Sequence, residues 1–120
     1  MIAARIADAL HGTNRAFIDC TIATVYVRCA ARFFDGEPFM TLDIANVEVH
    51  ERYRQHGIFS VLVEECERAA LMLGRQGVFV ENVLNPIVFE ALKRRGYLHV
   101  ADRAPDVCMF KRLNSRDIGE

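Results

Sequence analysis

Residues 47–59 read Val-Glu-Val-His-Glu-Arg-Tyr-Arg-Gln-His-Gly-Ile-Phe, and this stretch decides the fold. A β-rich run ends at Val49, a short charged loop closes on Arg54-Gln55-His56-Gly57, and an amphipathic helix begins at once. The unpaired N–H groups and the positive dipole end of a helix N-terminus attract phosphate. Gly57 has no Cβ to keep the backbone away from such a ligand. The stretch therefore predicts a phosphate-binding turn between a strand and a helix.

Length and composition predict one globular domain, 1–120, with a single core. The chain has 120 residues, of which 52% are hydrophobic and 26% charged, and its formal net charge is −1. No global positive charge favours nucleic acid, and the local basic clusters at Arg52, Arg54 and 93–95 suit a small anionic ligand better. The N-terminal apolar run contains Arg5 and Asp8, which argues against a signal peptide or a membrane span. We therefore expect a cytoplasmic protein without nucleic-acid or membrane partners.

The four cysteines are widely spaced and lie in apolar stretches: Cys20, Cys29, Cys66 and Cys108. They form no Cys-x-x-Cys pair and no His–Cys spacing typical of a metal site. This pattern predicts free thiols in a reducing compartment and no bound metal.

Hydrophobic periodicity predicts a short N-terminal helix at 2–11, within an N-terminal section 1–13, followed by β structure. The alternation over 20–49 predicts an antiparallel hairpin that turns at Asp35-Gly36, because Asp-Gly readily adopts positive φ angles. A third strand is expected from 14–19. On the first hairpin strand, Val25 and Val27 share the apolar face, and Tyr26 lies on the other.

The second half of the sequence alternates helix and strand. A helix is predicted from Ile58 to Gly74, then a strand at 77–81 that lies parallel to the strand at 39–49. Asn85 and Pro86 begin another helix that ends near Arg95, and a closing strand is expected at 107–113 before a flexible tail at 114–120. The predicted order is α-β-β-β-α-β-α-β, an α+β fold with a mixed, mostly antiparallel sheet and helices packed on it.

Two motifs within 19–110 resemble the GCN5-related N-acetyltransferase (GNAT) superfamily, which uses acyl-coenzyme A. The first motif, a basic residue followed by a glycine and then a small residue, matches Arg54-Gln55-His56-Gly57-Ile58-Phe59, except that Phe59 replaces the small residue. The second, an Asn-capped helix that ends in Gly-aromatic, matches 85–97, from Asn85 to Gly96-Tyr97. The resemblance implies the GNAT-like acyl-CoA N-acyltransferase fold, in which the two central parallel strands splay apart to form a slot for the coenzyme.

The resemblance also implies a coenzyme site for acetyl-CoA, without a metal. In it the amides from Gln55 to Phe59 would hold the pyrophosphate, and backbone groups at 47–49 would pair with the pantetheine arm. The implied coenzyme-binding residues are Val47, Val49, Arg54, Gln55, His56, Gly57, Ile58, Phe59, Asn85 and Phe89. Two simpler interpretations stay open, namely that Asn85 is only a helix cap and that His56 is a solvated loop residue.

Acyl transfer needs a group that removes a proton from the amine. In several family members a base lies eleven residues ahead of the motif's first basic residue, which here implies Asp43. Glu48, on the same strand, is the second candidate and Glu81, at the end of the next strand, is the third. Strand alternation does not decide whether Asp43 or Glu48 faces the acceptor, because family members often carry a bulge here. Each of the three carboxylates is alternatively a surface residue of a half-exposed strand.

The usual general acid of the family is missing from its place. A tyrosine commonly lies four residues before the glycine that ends the last helix, and this chain has Leu92 there. Tyr97, Tyr26 and Tyr53 are more distant possibilities. Many family members work mainly by positioning their two substrates, so a missing acid is compatible with activity.

Two functions therefore compete. The first is an N-acetyltransferase that moves an acetyl group from acetyl-CoA to a primary amine. The second is a catalytically silent relative that binds acyl-CoA or a protein partner, favoured by Leu92, Phe59 and the short N-terminal section. Because only about 13 residues precede the first strand, the acceptor side is expected to be open. An open side favours a protein or peptide amine as acceptor, or completion of the site by a second copy in a homodimer.

Overall fold

The computed structural model describes residues 2–54, 57–101 and 106–113. The helices are α1 (Ile2–Ala9), α2 (Ile58–Met72) and α3 (Pro86–Arg94). The strands are β1 (Arg15–Asp19), β2 (Ala23–Phe34), β3 (Glu37–Val49), β4 (Gly77–Val80), β5 (Leu98–Val100) and β6 (Cys108–Arg112). A 3₁₀ turn at Glu51–Tyr53 follows β3. None of the described helices is long and apolar enough to cross a lipid bilayer.

The six strands form one sheet in the order β1-β2-β3-β4-β6-β5. Neighbouring strands are antiparallel except β3 and β4, which are parallel and are joined through α2. The predicted α+β architecture and the parallel pair are therefore confirmed. The hairpin turn is confirmed as well, because Asp35 and Gly36 have φ angles of 53° and 78°, the left-handed values of a tight hairpin turn.

The two faces of the sheet are covered differently. All three helices pack their buried side chains into one core on one face, represented by Ile6 of α1, Leu62 of α2 and Leu92 of α3. The opposite face, called here the open face, carries a smaller aromatic cluster to which no described helix contributes. Its members are Phe34, Phe39, Phe79, Phe110, Cys108 and Val100.

A β-bulge in β3 changes which residues reach the open face. Tyr26 of β2 pairs with Asn46 and Val27 pairs with Ile44, so Ala45 is an extra residue. Side chains otherwise alternate between faces, and Val47 and Val49 pack against the helix-side core. The bulge thus places Glu48 on the open face with Asp43, although five residues separate them. Both candidate carboxylates face the side opposite the helices.

One strand was missed by the sequence prediction. The closing strand expected at 107–113 is present as β6, but β5 also pairs antiparallel with it. β5 has only three residues, two of them exposed, so its sequence carries no alternation that would identify it. The helix and strand ends otherwise differ from prediction by one to three residues, and the expected tail at 114–120 lies outside the described residues.

The four cysteines are free, as their spacing predicted. Cys66 and Cys108 are buried, and Cys20 and Cys29 are half-buried. Burial raises the pKa of the Cys66 thiol, so it stays protonated on the core side of α2. Cys66 is therefore a core residue rather than a nucleophile.

Candidate functional site

The parallel strands β3 and β4 separate partway along their length. Their ladder runs from the pair Thr41–Gly77 to the pair Ile44–Val80, and the Glu81 N–H then donates to the Ile44 carbonyl at 3.1 Å. β4 ends at Val80, while β3 continues to Val49 in pairing with β2 alone. The other edge of β3 between Ala45 and Val49 consequently faces a gap. Backbone N–H and C=O groups on such an edge are free to pair with an extended ligand.

A cleft of roughly 900 Å³ fills this gap. It runs between the diverging strands and is bounded by the N-terminal turns of α2 and α3, a size and position suited to a cofactor or extended ligand. Most described members of the predicted coenzyme set line it: Val47, Val49, Arg54, Gly57, Ile58, Phe59 and Asn85. Phe89 instead lines a neighbouring groove of about 330 Å³, and Gln55 and His56 lie outside the described residues.

Gly57 caps the N-terminus of α2 in a left-handed conformation, with φ 72° and ψ 11°. Beyond its chain neighbours, a Cβ built at this position would meet no heavy atom of the described residues within 4 Å, so the space beside it opens on the cleft. The first N–H groups of a helix have no intrahelical acceptor. No side chain of the described residues caps this end of α2. The first turn of α2 therefore presents unpaired amides and the positive end of the helix dipole to the cleft.

Phe59, the departure from the family pattern, is half-buried and packs against the helix-side core while also lining the cleft. Its ring is thus anchored among apolar neighbours, and its backbone remains in the first turn of α2. Arg54 lies at the other side of the turn, where its Nε donates to the Val49 carbonyl at 3.0 Å. This bond ties the loop to the end of β3 and holds a guanidinium at the cleft.

Asn85 is the N-cap of α3, and its Oδ1 accepts a hydrogen bond from the Ile87 N–H at 2.8 Å. The capping role considered from the sequence is therefore present. Pro86 follows at the first helical position, where its missing N–H costs nothing. Because Asn85 also lines the cleft, the cap and a contact with a ligand are compatible at this position.

The three candidate carboxylates have different surroundings. Asp43 is 1% exposed, accepts hydrogen bonds from Arg32 at 3.1 and 2.6 Å and from the Thr41 hydroxyl at 2.7 Å, and is absent from the cleft lining. Glu48 is exposed, lines the cleft and makes no ion pair with any described residue. Glu81 lines the cleft where the strands separate. The structure thus brings Glu48 and Glu81 together at the cleft and leaves Asp43 beneath the open face.

Four side chains of alternating charge run from Arg28 through Glu81 and Arg32 to Asp43 on the open face, and we call them the charge chain. Arg28 donates to Glu81, Glu81 lies 3.7 Å from Arg32, and Arg32 donates to Asp43. The Glu81 hydrogen bond raises the pKa of Arg28. The side-chain exposed fractions fall from 38% at Arg28 to 1% at Asp43, so the outer end of the chain is accessible and the inner end is not.

The tyrosines are placed unequally with respect to the cleft. Tyr97 is 1% exposed and donates to Glu67 at 2.7 Å, which keeps its hydroxyl in the interior. Burial raises its pKa well above the ordinary value. Leu92 is fully buried in the core and Tyr26 stacks on Phe17. Tyr53 lines the cleft, so it is the one tyrosine of the described residues that borders the site.

The sequence interpretation missed Arg28, Arg32 and Glu67. Nothing in the sequence marks a partner for Arg28, because Glu81 lies 53 residues away. Glu67 has the pattern of a solvent-facing helix residue but is fully buried. No group of three or more described His, Cys, Asp or Glu residues is arranged to hold a metal ion.

No family model matches this chain, and no curated protein matches it. Several solved structures share its fold. A mutant AtaT toxin bound to the C-terminus of the antitoxin AtaR and acetyl-CoA is 16% identical, with a TM-score of 0.60 over 76% of this chain and 58% of the toxin chain. AtaT complexed with acetyl-methionyl-tRNAfMet gives 13% identity and a TM-score of 0.61 over 76% of this chain and 62% of that one.

Two further structures extend the comparison. The PaiA N-acetyltransferase from Thermoplasma acidophilum in complex with coenzyme A is 13% identical, with a TM-score of 0.64 over 92% of this chain and 68% of its own. The NatC complex bound to Gag peptide and CoA gives 16% identity and a TM-score of 0.57 over 75% of this chain and 61% of that one. The chain spans about 58% of the length of the toxin structure named first. At these identities the likeness establishes the fold.

Proposed function

We propose that this chain, which has the fold of the GNAT N-acetyltransferases, transfers an acyl group, acetyl by default, from acyl-CoA to a primary amine. The observation that carries the proposal is the cleft between β3 and β4, which ends at the Gly57 turn and the first turn of α2. One elongated space therefore joins a free strand edge to an anion-binding helix end. Coenzyme A has the matching parts, an amide-containing arm and a pyrophosphate.

Different residues of the cleft would contact different parts of the coenzyme. Backbone groups of 45–49 would pair with the amides of the arm, and the amides at the start of α2 would hold the pyrophosphate. Arg54 supplies a positive charge beside that turn, and Asn85 borders the arm. Gln55 and His56 belong to the same proposal on the strength of the sequence motif, and Phe89 takes an outer place in the neighbouring groove.

The reaction joins the amine nitrogen to the thioester carbon and breaks the carbon–sulfur bond. The amine must first lose the proton that makes it an ammonium, and a carboxylate at the cleft accepts that proton. The coenzyme leaves as a thiolate, which takes up a proton from water or from a nearby hydroxyl such as that of Tyr53. The products are an amide and free coenzyme thiol.

We assign the proton acceptor to Glu81, with Glu48 as the second candidate. Both carboxylates line the cleft, and Glu81 lies where the ladder between β3 and β4 ends. Asp43, the first candidate from the sequence, already accepts three hydrogen bonds beneath the open face. In this proposal Asp43 fixes Arg32 and so positions the charge chain.

The acceptor is proposed to be a primary amine that approaches from the open face. No described helix covers that face, which leaves room for a protein or peptide chain. The NatC structure contains a bound peptide, which supports this class, whereas AtaT has been solved with a tRNA. The net charge of −1 favours the peptide over a nucleic acid here. A homodimer, in which a second copy of the chain completes the open acceptor side, is the alternative arrangement.

Isothermal titration with acetyl-CoA tests the coenzyme site directly, with coenzyme A as the comparison. We expect dissociation constants on the order of micromolar, because a strand-like pairing and a helix N-terminus act together. Absence of binding at millimolar coenzyme would reject the proposal. The chain could instead bind both coenzymes but release no thiol with any of a panel of primary amines and peptides. That result would support the catalytically silent binding protein. Leu92 and the pairing of Glu81 with two arginines favour this alternative.

Substitution of the carboxylates separates their roles. Glu81→Gln is expected to lower the rate of thiol release about 100-fold or more and to leave acetyl-CoA affinity unchanged, because the coenzyme is held by backbone groups. Glu48→Gln should have a smaller effect. Glu64→Gln, on the exposed side of α2, is the matched control and should have none. If Glu48→Gln abolishes the rate and Glu81→Gln retains it, the two roles are exchanged.

A further inference from the structure

The Arg28 side chain spans the open face at the place where β3 and β4 separate. It begins on β2, directly opposite Asp43 of β3, and reaches Glu81 at the end of β4. This is a distance of two strand spacings, roughly 10 Å. The guanidinium therefore lies beside the carboxylate that borders the cleft where the two strands separate.

Of the two arginines beside Glu81, Arg32 is fixed by more contacts than Arg28. Arg32 is 16% exposed, makes two hydrogen bonds to Asp43 and lies 3.8 Å from the centre of the Phe79 ring. These contacts keep Arg32 in place whether or not Glu81 is present. The Arg28 side chain is 38% exposed, and its bond to Glu81 is its one side-chain hydrogen bond to the described residues.

One hydrogen-bond donor of the Arg28 side chain also has no acceptor among the described residues. Its Nε is buried and has no hydrogen-bond partner among the described residues. A buried donor without a partner costs free energy that movement toward water would recover. The Tyr26 ring, centred 5.8 Å from the Arg28 guanidinium carbon, offers a surface on which the displaced cation can stay. Arg28 thus has an outward path, and Glu81 keeps Arg32 when Arg28 leaves.

We infer that Arg28 is an exchangeable ion-pair partner of Glu81 and that the ammonium group of the acceptor takes its place. Arg28 in this role is a positioning residue that selects for cationic acceptors, since a neutral group cannot replace the charge that the displaced guanidinium brought to Glu81. The inference rests on the proposed function for its meaning in catalysis. The exchange itself is a binding event and can be measured without acetyl transfer.

Side-chain NMR with butylammonium chloride as the probe tests the exchange, with sodium chloride and 1-butanol as controls at matched concentration. In the unmodified chain, the Glu81 carboxyl signal and the Arg28 Nε–H signal should move with the same midpoint. Arg28→Gln should bind the probe about two- to fivefold more tightly, which is the competition expected from a half-exposed ion pair. Arg28→Lys, which keeps the charge with fewer donors, should fall between the two.

Arg68→Gln is the matched control, because it removes the same charge from an exposed pair on α2 and should leave probe affinity unchanged. Equal affinities in the unmodified chain and in Arg28→Gln, including no binding to either, would overturn the inference. So would an unmoved Arg28 signal at amine concentrations that saturate Glu81. In an acetyl-transfer assay, Arg28→Gln should lower the KM for the amine by a similar factor at constant acetyl-CoA affinity.

The coenzyme titration keeps the two proposals apart. If the chain binds acetyl-CoA but Arg28→Gln does not change butylammonium affinity, only the inference about Arg28 is rejected. A chain that binds no coenzyme loses the proposed function, while tighter binding of butylammonium by Arg28→Gln would still establish the exchange at Glu81.

Discussion

Replacing Gly57 with glutamate is expected to abolish coenzyme binding and leave the chain folded. A Cβ at this position meets no heavy atom of the described residues within 4 Å beyond its chain neighbours, so the substitution adds no clash at the Cβ. It places a carboxylate at the helix end that would hold the pyrophosphate. Repulsion between the carboxylate and the pyrophosphate should lower acetyl-CoA affinity on the order of 100-fold or more. Titration with acetyl-CoA measures the loss, and circular dichroism reports whether the fold is retained.

Gly36→Glu provides a matched control for this substitution. Gly36 has a φ of 78°, close to the 72° of Gly57, and a Cβ there also meets no atom within 4 Å. Both variants therefore carry the same charge change and the same backbone strain, about 1–2 kcal/mol for a left-handed L-residue. Gly36 lies in the β2–β3 hairpin turn, away from the cleft, so its variant should bind acetyl-CoA normally.

Two outcomes would contradict the phosphate turn. If Gly57→Glu binds acetyl-CoA as tightly as the unmodified chain, the pyrophosphate is not held at α2. If both glycine variants lose affinity equally, the effect comes from strain rather than from charge at the turn. Gly57→Ala helps to separate these causes, because it has the strain without the carboxylate and should lose much less affinity than Gly57→Glu.

The turn itself was predictable because its signals are local. A strand that ends at Val49, a glycine and an amphipathic helix fix one another within a dozen residues, and the same is true of the Asp35-Gly36 hairpin and the Asn85 cap. Local signals report backbone conformation well because the left-handed residue and the N-cap act on their own neighbours.

The face of the sheet that Glu48 reaches was not predictable, because it depends on a bulge. Without the extra Ala45, alternation would put Asp43 and Glu48 on opposite faces, and the sequence does not announce where an extra residue is accommodated. The pairing of Arg28 with Glu81 is equally hidden, since it joins strands that are separated by α2 in the chain and by β3 in the sheet. The sequence thus predicts the turn, the hairpin and the helix cap better than the side-chain pairs of the open face.

Glu67 shows the same limit in the interior, and its replacement should have the largest effect on stability. The carboxylate is fully buried on α2 and accepts hydrogen bonds from Arg95 and from the Tyr97 hydroxyl, both at 2.7 Å. Lys111 of β6 lies 3.6 Å away. One side chain therefore joins α2, the end of α3 and strand β6.

Glu67→Ala is expected to lower the free energy of unfolding by about 3–5 kcal/mol, because it leaves two cations and a hydroxyl without their shared acceptor. This is a large part of the total of about 5–15 kcal/mol typical of such a domain. Urea denaturation followed by circular dichroism measures the change. Glu64→Ala on the same helix is the control, since its exposed pair with Arg68 should contribute about 0.3–0.5 kcal/mol.

Tyr97→Phe gives a milder test if Glu67→Ala does not fold. It keeps the buried ring and removes only the hydroxyl that donates to Glu67, so a loss of about 1.5–3 kcal/mol is expected for a hydrogen bond to a charged group. In the double variant Glu67→Gln, Tyr97→Phe, the loss should be smaller than the sum of the single losses, because Glu67→Gln weakens the same hydrogen bond that Tyr97→Phe removes. Additive losses, or a Glu67→Ala cost no greater than that of Glu64→Ala, would mean that Glu67 does not hold α2, α3 and β6 together.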